Sequence, residues 1–178
     1  MKISRVETFQ VPPRWLFVRV ETDDGVVGWG EPVIEGRAET VRTAVAQLSE
    51  FLVGQDAARI EDLWQVMTRG GFYRGGPIMS SAIAGLDQAL WDIAGKSLGV
   101  PVYRLLGGHV RDRIRVYGWV GGDDPSELRD AISAQIVAGL TAVKMNGSGI
   151  MPALGTVRQI DDVVDRAQIA RETLGSDR

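Results

Sequence analysis

Lys144 and Asn146 flank Met145 at the end of a short apolar run. Strand alternation puts an ammonium and a carboxamide on the same side there. Such a pair could bind a carboxylate, hold a hydroxyl or move a proton; the plainer alternative is a strand-end lysine that is salt-bridged or solvated. Arg14 and Trp15 follow the proline pair Pro12-Pro13. A guanidinium beside an indole offers hydrogen-bond donors and a ring face to a ligand, although Trp15 packed into a core with Arg14 on the surface would give the same residues. Tyr73 and Arg74 stand in Gly70-Gly71-Phe72-Tyr73-Arg74-Gly75-Gly76, where glycines at both ends could let the loop move as a lid. Packing is again the competing account.

Other polar residues carry less. His109, the only histidine, follows Gly107-Gly108 in a turn and reads as surface decoration. Asp23-Asp24 and Asp123-Asp124 read as turn and cap residues. Asp161, Asp162, Asp165 and Glu172 lie on a charged helix whose default is a solvated face. Gly28-Trp29-Gly30 lacks the third glycine and the following helix of a dinucleotide-binding loop, so nucleotide binding is rejected.

The elements that must position these residues follow from periodicity. Ile3, Val6 and Phe9 mark a first strand that ends at the prolines. Trp15 to Thr22 alternates Leu16, Val18 and Val20 against Phe17, Arg19 and Glu21, the period of a pleated strand. Asp23-Asp24-Gly25 is a hairpin turn, and Val26 to Gly30 returns. A three-stranded antiparallel meander is therefore expected. The period then becomes helical. Thr40 to Leu52 carries Val41, Ala44, Val45, Leu48 and Phe51, a shorter stripe carries Ile60, Leu63, Trp64 and Met67, and Pro77 opens a long helix to Leu98. Gly99 stops that helix, and Pro101 to Leu106 adds a short turn. After Gly107-Gly108 the order is strand (Ile114 to Val120), helix (Pro125 to Ala138), strand (Thr141 to Met145) and helix (Val157 to Leu174). The last helix shows Ile160, Val163, Val164, Ala167 and Leu174 on one side. Alternation of this kind belongs to a parallel sheet or barrel.

The segment from Ala82 to Gly107 runs Ala-Ile-Ala-Gly-Leu-Asp-Gln-Ala-Leu-Trp-Asp-Ile-Ala-Gly-Lys-Ser-Leu-Gly-Val-Pro-Val-Tyr-Arg-Leu-Leu-Gly. Ala82, Gly85 and Ala89 keep one face small, so a neighbour can pack closely. Asp87 and Asp92 face a more polar side. Gly95-Lys96 and Pro101 close the helix and set the turn. The segment resembles the N-terminal signature of the mandelate racemase and muconate lactonizing enzyme branch of the enolase superfamily. Further stretches are similar to the D-galactonate dehydratases of that branch: Pro13 to Phe17, Gly28 to Pro32, Gly71 to Pro77, Trp119 to Asp123 and Val143 to Gly147.

The resemblance covers the whole chain and implies an α+β capping domain over residues 1–110. Residues 111–178 would then be the first two β/α units of a (β/α)7β TIM-like barrel, truncated. A complete member would be about twice this length, so the polypeptide is expected to continue past Arg178 or to lean on a partner. The implied activity is acid-sugar dehydration, D-galactonate to 2-keto-3-deoxygalactonate, by a carbon–oxygen lyase. A proton leaves the carbon beside the carboxylate, magnesium stabilises the enediolate, and an acid protonates the departing hydroxyl. The resemblance places the three carboxylate metal ligands, and the histidine base and acid, downstream of this chain. Metal ligands here are therefore none, and the 178 residues alone are expected to be inactive. It makes Lys144 and Asn146 the catalytic-site residues, with Asn146 standing where racemases and lactonizing enzymes usually carry a second lysine. That departure favours a histidine-run pathway. It also makes the Arg14-Trp15 loop, and with it Tyr73 and Arg74, substrate-binding.

Composition bounds the alternatives. The chain has no cysteine, 44% hydrophobic residues and a net charge of −3, which excludes a disulfide framework or thiolate metal site. It argues against a nucleic-acid surface. No apolar run nears the roughly 18 residues of a membrane span, and Met1 to Glu7 is not a signal peptide. A cytoplasmic protein is expected, acting on a small-molecule sugar acid and assembling as a homo-oligomer. Two other readings stand: another dehydratase, racemase or cycloisomerase of the same fold, and a catalytically inactive cap or assembly fragment.

Overall fold

The computed structural model describes residues 1–122 and 124–177. The chain forms two compact units, Met1–Val110 and Arg111–Arg178.

In the first unit, β1 (Ile3–Val11), β2 (Trp15–Thr22) and β3 (Val27–Gly30) make an antiparallel sheet in that order. The alternation in β2 decides which face is covered: Leu16, Val18 and Val20 are wholly buried, while Phe17 and Arg19 are half-buried on the other face. The turn to β3 closes on Gly25 at φ 83°, a conformation that favours glycine. The helices that follow are α1 (Ala38–Leu52), α2 (Ile60–Arg69), α3 (Pro77–Leu98) and the short α4 (Val102–Leu105). Of these, α1 and α3 cover the buried face of the sheet, and α2 packs on α3. One apolar core joins Leu16, Val18 and Val20 to Val41, Val45, Leu52, Leu63, Leu86, Leu90 and Ile93. Phe51 and Trp64, expected on the buried stripes, are instead about a third exposed. Leu52 takes the core position at the end of α1, and the two aromatic rings line a cleft described below.

The Ala82–Gly107 segment explains how the sheet edge is protected. Ala82, Gly85 and Ala89 of α3 are buried. A Cβ at Gly28 would enter the Ala89 carbonyl, one at Gly30 the Gly85 carbonyl, and one at Gly85 the ring of Pro32. Glycine on both sides thus lets strand backbone touch helix backbone. An edge strand presents unpaired backbone groups on its outer side. Here Val27 O accepts from Lys96 Nζ at 2.8 Å. Trp29 N donates to Asp92 Oδ2 at 2.9 Å, and Glu31 N donates to Gln88 Oε1 at 2.8 Å. Alternate strand residues repeat about every 6.6 Å and helix residues four apart about every 6 Å, so Gln88, Asp92 and Lys96 meet residues 31, 29 and 27 in step. Asp87 and Asp92 therefore do not share a side: Asp92 grips β3, and Asp87 faces the cleft. Gly99, at φ 65°, ends α3 with its N–H to Lys96 O and with Val100 N donating to Gly95 O.

In the second unit, β4 (Gly118–Trp119) pairs in parallel with β5 (Val143–Lys144). Helix α5 (Pro125–Val137) connects them and α6 (Val157–Leu174) follows. Both strands are shorter than the periodicity predicts. The ladder begins where Gly118 N donates to Ala142 O, and just before it the Arg115 guanidinium donates to the Thr141 carbonyl at 2.5 Å. Asp124 caps α5, its Oδ1 accepting from Ser126 N at 2.7 Å; Asp123 lies outside the described residues. Val120, Leu128, Ile132 and Ala170 form this unit's core. Leu174 packs inward on α6 as expected, but Ala170 and Ile169 join it there in place of Ile160 and Val164, which are largely exposed.

Candidate active site

Parallel pairing matches Gly118 with Val143 and Trp119 with Lys144, so the first residues past both strands emerge together. Active-site residues of α/β barrels stand at this C-terminal strand edge. Lys144 Nζ lies 5.3 Å from the centroid of the Trp119 ring, within the range of a cation–π contact. Among the described residues no carboxylate pairs with Lys144. Asn146 lines a cavity of about 300 Å³ together with Trp119, Val120, Ser148 and Arg166. Lys144 and Asn146 are both exposed, so the ammonium and the carboxamide remain open to a ligand.

Arg14 and Trp15 form a second, separate group in the first unit. Arg14 Nη1 donates to Glu35 Oε1 at 2.6 Å, and the guanidinium lies 5.8 Å from the Trp15 ring centroid. Trp15 opens β2 opposite Val11 and is 39% exposed, while its neighbour Leu16 enters the core. Two consequences follow for ligand chemistry. The charge of Arg14 is already balanced by Glu35, so its remaining N–H groups suit neutral hydroxyls. Among the described residues Lys144 has no such partner, which suits a carboxylate.

Tyr73 and Arg74 lie on the loop between α2 and α3. Tyr73 is 94% exposed, and its ring contacts Phe72 edge-on at 5.4 Å. Gly75 and Gly76 take φ 78° and 87°, so the turn into α3 is built on conformations that favour glycine. The loop borders a cleft of about 700 Å³ whose walls include Leu48, Phe51, Trp64 and Met79, with Asp87 among its polar groups. Burial, and secondarily the charge of Glu61, holds the Asp87 carboxyl above the usual carboxylate range. Arg14 and Trp15 do not line this cleft.

Several other charged residues serve turns and helix surfaces. Asp23 accepts from Lys2 N, and Asp24 accepts from Thr22 Oγ1 in the hairpin turn. Glu172 is held below its ordinary pKa by a hydrogen bond from Gln168 and, less, by Arg129. The His109 ring is 6.0 Å from that of Tyr103. Among the described residues, no group of three His, Cys, Asp or Glu could hold a metal ion, so they do not fit a magnesium site. No helix among them is long and apolar enough to cross a membrane. Trp119 is the residue that reasoning from the sequence did not place at the site. Its signal was present: it ends a strand one β/α unit before Lys144, at the same point of the repeat.

Comparison with known proteins adds the following. Residues 4–107 match the family model of the mandelate racemase / muconate lactonizing enzyme N-terminal domain. The chain is 57% identical over 176 residues to a D-galactonate dehydratase of Pectobacterium atrosepticum. It is equally identical to one of Ralstonia pickettii. Each match takes in 99% of this chain and 46% of the relative, so the chain spans about half the length of the curated relatives it matches. Among solved structures, it is similar to an enolase from Pantoea ananatis with bound D-gluconate and magnesium. The TM-score is 0.85 at 30% identity, over 99% of this chain and 51% of that one. A member of the enolase superfamily from Salmonella Typhimurium gives a TM-score of 0.87 at 28% identity, over 99% and 52% of the two chains.

Proposed function

The chain belongs to the mandelate racemase / muconate lactonizing enzyme family, and from that membership we propose that the protein carrying it is an acid-sugar dehydratase acting on D-galactonate. The observation that carries this reading is the 57% identity, along 99% of the chain, to proteins named D-galactonate dehydratase.

The roles follow from charge. Removing the proton beside a carboxylate builds negative charge on the carboxylate oxygens, and a positively charged group aimed there lowers the barrier. Lys144 supplies that charge in this proposal. Asn146, able to donate and accept, holds a hydroxyl or a carboxylate oxygen. Arg14 and Trp15 offer hydrogen-bond donors and an apolar ring face to a polyhydroxylated chain. Tyr73 and Arg74 act from a glycine-flanked loop that closes as a lid. The proton-abstracting base, the acid for the departing hydroxyl and the magnesium ligands are assigned to the part of the protein beyond these residues.

The test is an assay of the whole protein with D-galactonate, D-gluconate and further epimers, with and without magnesium, following formation of the 2-keto-3-deoxy acid. Dehydration of D-galactonate that stops on chelation is the expected result. Turnover of D-gluconate alone, the ligand of the Pantoea ananatis structure, would keep the dehydratase and move the substrate. Racemisation or no turnover would overturn the reading.

A further inference from the structure

Among the described residues, the Lys144 ammonium is held by a ring and not by an acid. In the parallel ladder Trp119 stands opposite Lys144, and the ammonium lies 5.3 Å from the indole centroid. Trp119 also lines the cavity that Asn146 borders. A carboxylate in the same place would fix the lysine as well, but it would neutralise the charge and compete with any incoming acid. An aromatic face orients a cation without cancelling its charge.

We propose that Trp119 is a positioning residue for Lys144, which holds the ammonium at the end of β5 with its charge intact for the carboxylate of the substrate. This rests on the role given above to Lys144 and adds a residue to that site. Trp119 performs no proton transfer; its effect passes through Lys144. Loss of the ring therefore weakens capture of the carboxylate more than it slows the step that follows.

The experiment uses the whole protein with Trp119→Phe, Trp119→Leu, Lys144→Met and the double variant Trp119→Leu/Lys144→Met. In Trp119→Leu, KM for the sugar acid should rise about tenfold, the scale of one cation–π contact, with kcat changed much less. Trp119→Phe should recover most of that loss. In the Lys144→Met background, Trp119→Leu should add nothing to KM, because both changes remove one interaction.

A second readout needs no turnover. Reductive ¹³C-methylation keeps the lysine charge, and the lysines of this chain are Lys2, Lys96 and Lys144. The Lys144 methyl resonance, assigned by its loss in Lys144→Met, should be shifted upfield by the indole and return to the free-lysine position in Trp119→Leu. An unshifted resonance in the unaltered protein overturns the proposal, as does a shift lost in Trp119→Leu while KM stays the same. If no sugar acid is turned over at all, the dehydratase reading fails by itself. The resonance then decides the contact, and calorimetric binding of D-galactonate by the unaltered protein and by Trp119→Leu decides its use.

Discussion

At the scale of single residues, the two candidate ligand groups differ in how their cations are held. Arg14 is balanced by Glu35 across a 2.6 Å contact with both side chains exposed, a pair that contributes little stability in solvent but settles where the guanidinium points. Lys144 is held by an indole. Glu35→Gln should therefore change KM for the sugar acid with little effect on thermal stability, and equal loss of both would refute an orienting role.

Two carboxyls give pH predictions of opposite sign. Asp124 is held low by the Ser126 side-chain and backbone donors. A depressed folded pKa contributes stability above the unfolded value of about 3.9 and loses it as pH falls through the folded one. Asp124→Ala should lower Tm at neutral pH, with the gap closing in acid, whereas Asp124→Asn, also a good cap, should stay near the unaltered protein. Asp87 is held high by burial and then by Glu61. A raised folded carboxyl pKa leaves stability whole below about pH 3.9 and erodes it as pH rises through the folded value. Asp87→Asn should raise Tm at pH 7 and bring no gain below pH ~4. Melting curves of the three variants across pH 3–8 check both signs.

At the scale of elements, the join between β3 and α3 carries the first unit. Its backbones touch because Gly28, Gly30 and Gly85 have no Cβ, and its polar stitches come from Gln88, Asp92 and Lys96. A methyl group at any of the three glycines must push backbone apart. Gly28→Ala, Gly30→Ala and Gly85→Ala should each cost about 1–3 kcal/mol or more. Gly54, at φ 88° with open space around it, supplies the comparison. Gly54→Ala should cost only the left-handed penalty of about 1–2 kcal/mol. Denaturant unfolding ranks the four, and a Gly54→Ala change as damaging as Gly85→Ala would contradict the close-approach account. Asp92→Ala leaves the Trp29 N–H without its acceptor and the Lys96 ammonium with only the Val27 carbonyl, and should cost about 1–3 kcal/mol.

At the scale of the whole molecule, two compact units follow one another, each with its own apolar core. The segment from Gly107 to Tyr117 carries no helix or strand and exposes Val110, Ile114 and Val116. Limited proteolysis should cut there before it cuts α3 or β2, because cleavage follows exposed backbone outside hydrogen-bonded elements. Mass spectrometry of the first products checks this; first cuts inside Pro77–Leu98 would contradict it. The chain also spans about half the length of its curated relatives. The whole protein is therefore the right object for any assay of activity or metal.

The amino-acid sequence by itself determined the meander, the helices and their order, because those depend on local period. Leu16, Val18 and Val20 alternate, Pro77 and Gly99 bound α3, and Asp124 caps α5, all within reach of neighbours along the chain. The Ala82–Gly107 segment was enough to identify the family, since many fixed positions lie in one stretch. Tertiary structure alone decided what those positions do. Nothing local says that Gly85 makes room for Pro32, that Asp92 serves a strand more than sixty residues away, or that Asp87 and Asp92 part company around the helix. The same holds at the candidate site. Trp119 and Lys144 are joined only by parallel pairing across a β/α unit, a contact set by the register of two short strands and not by spacing along the chain.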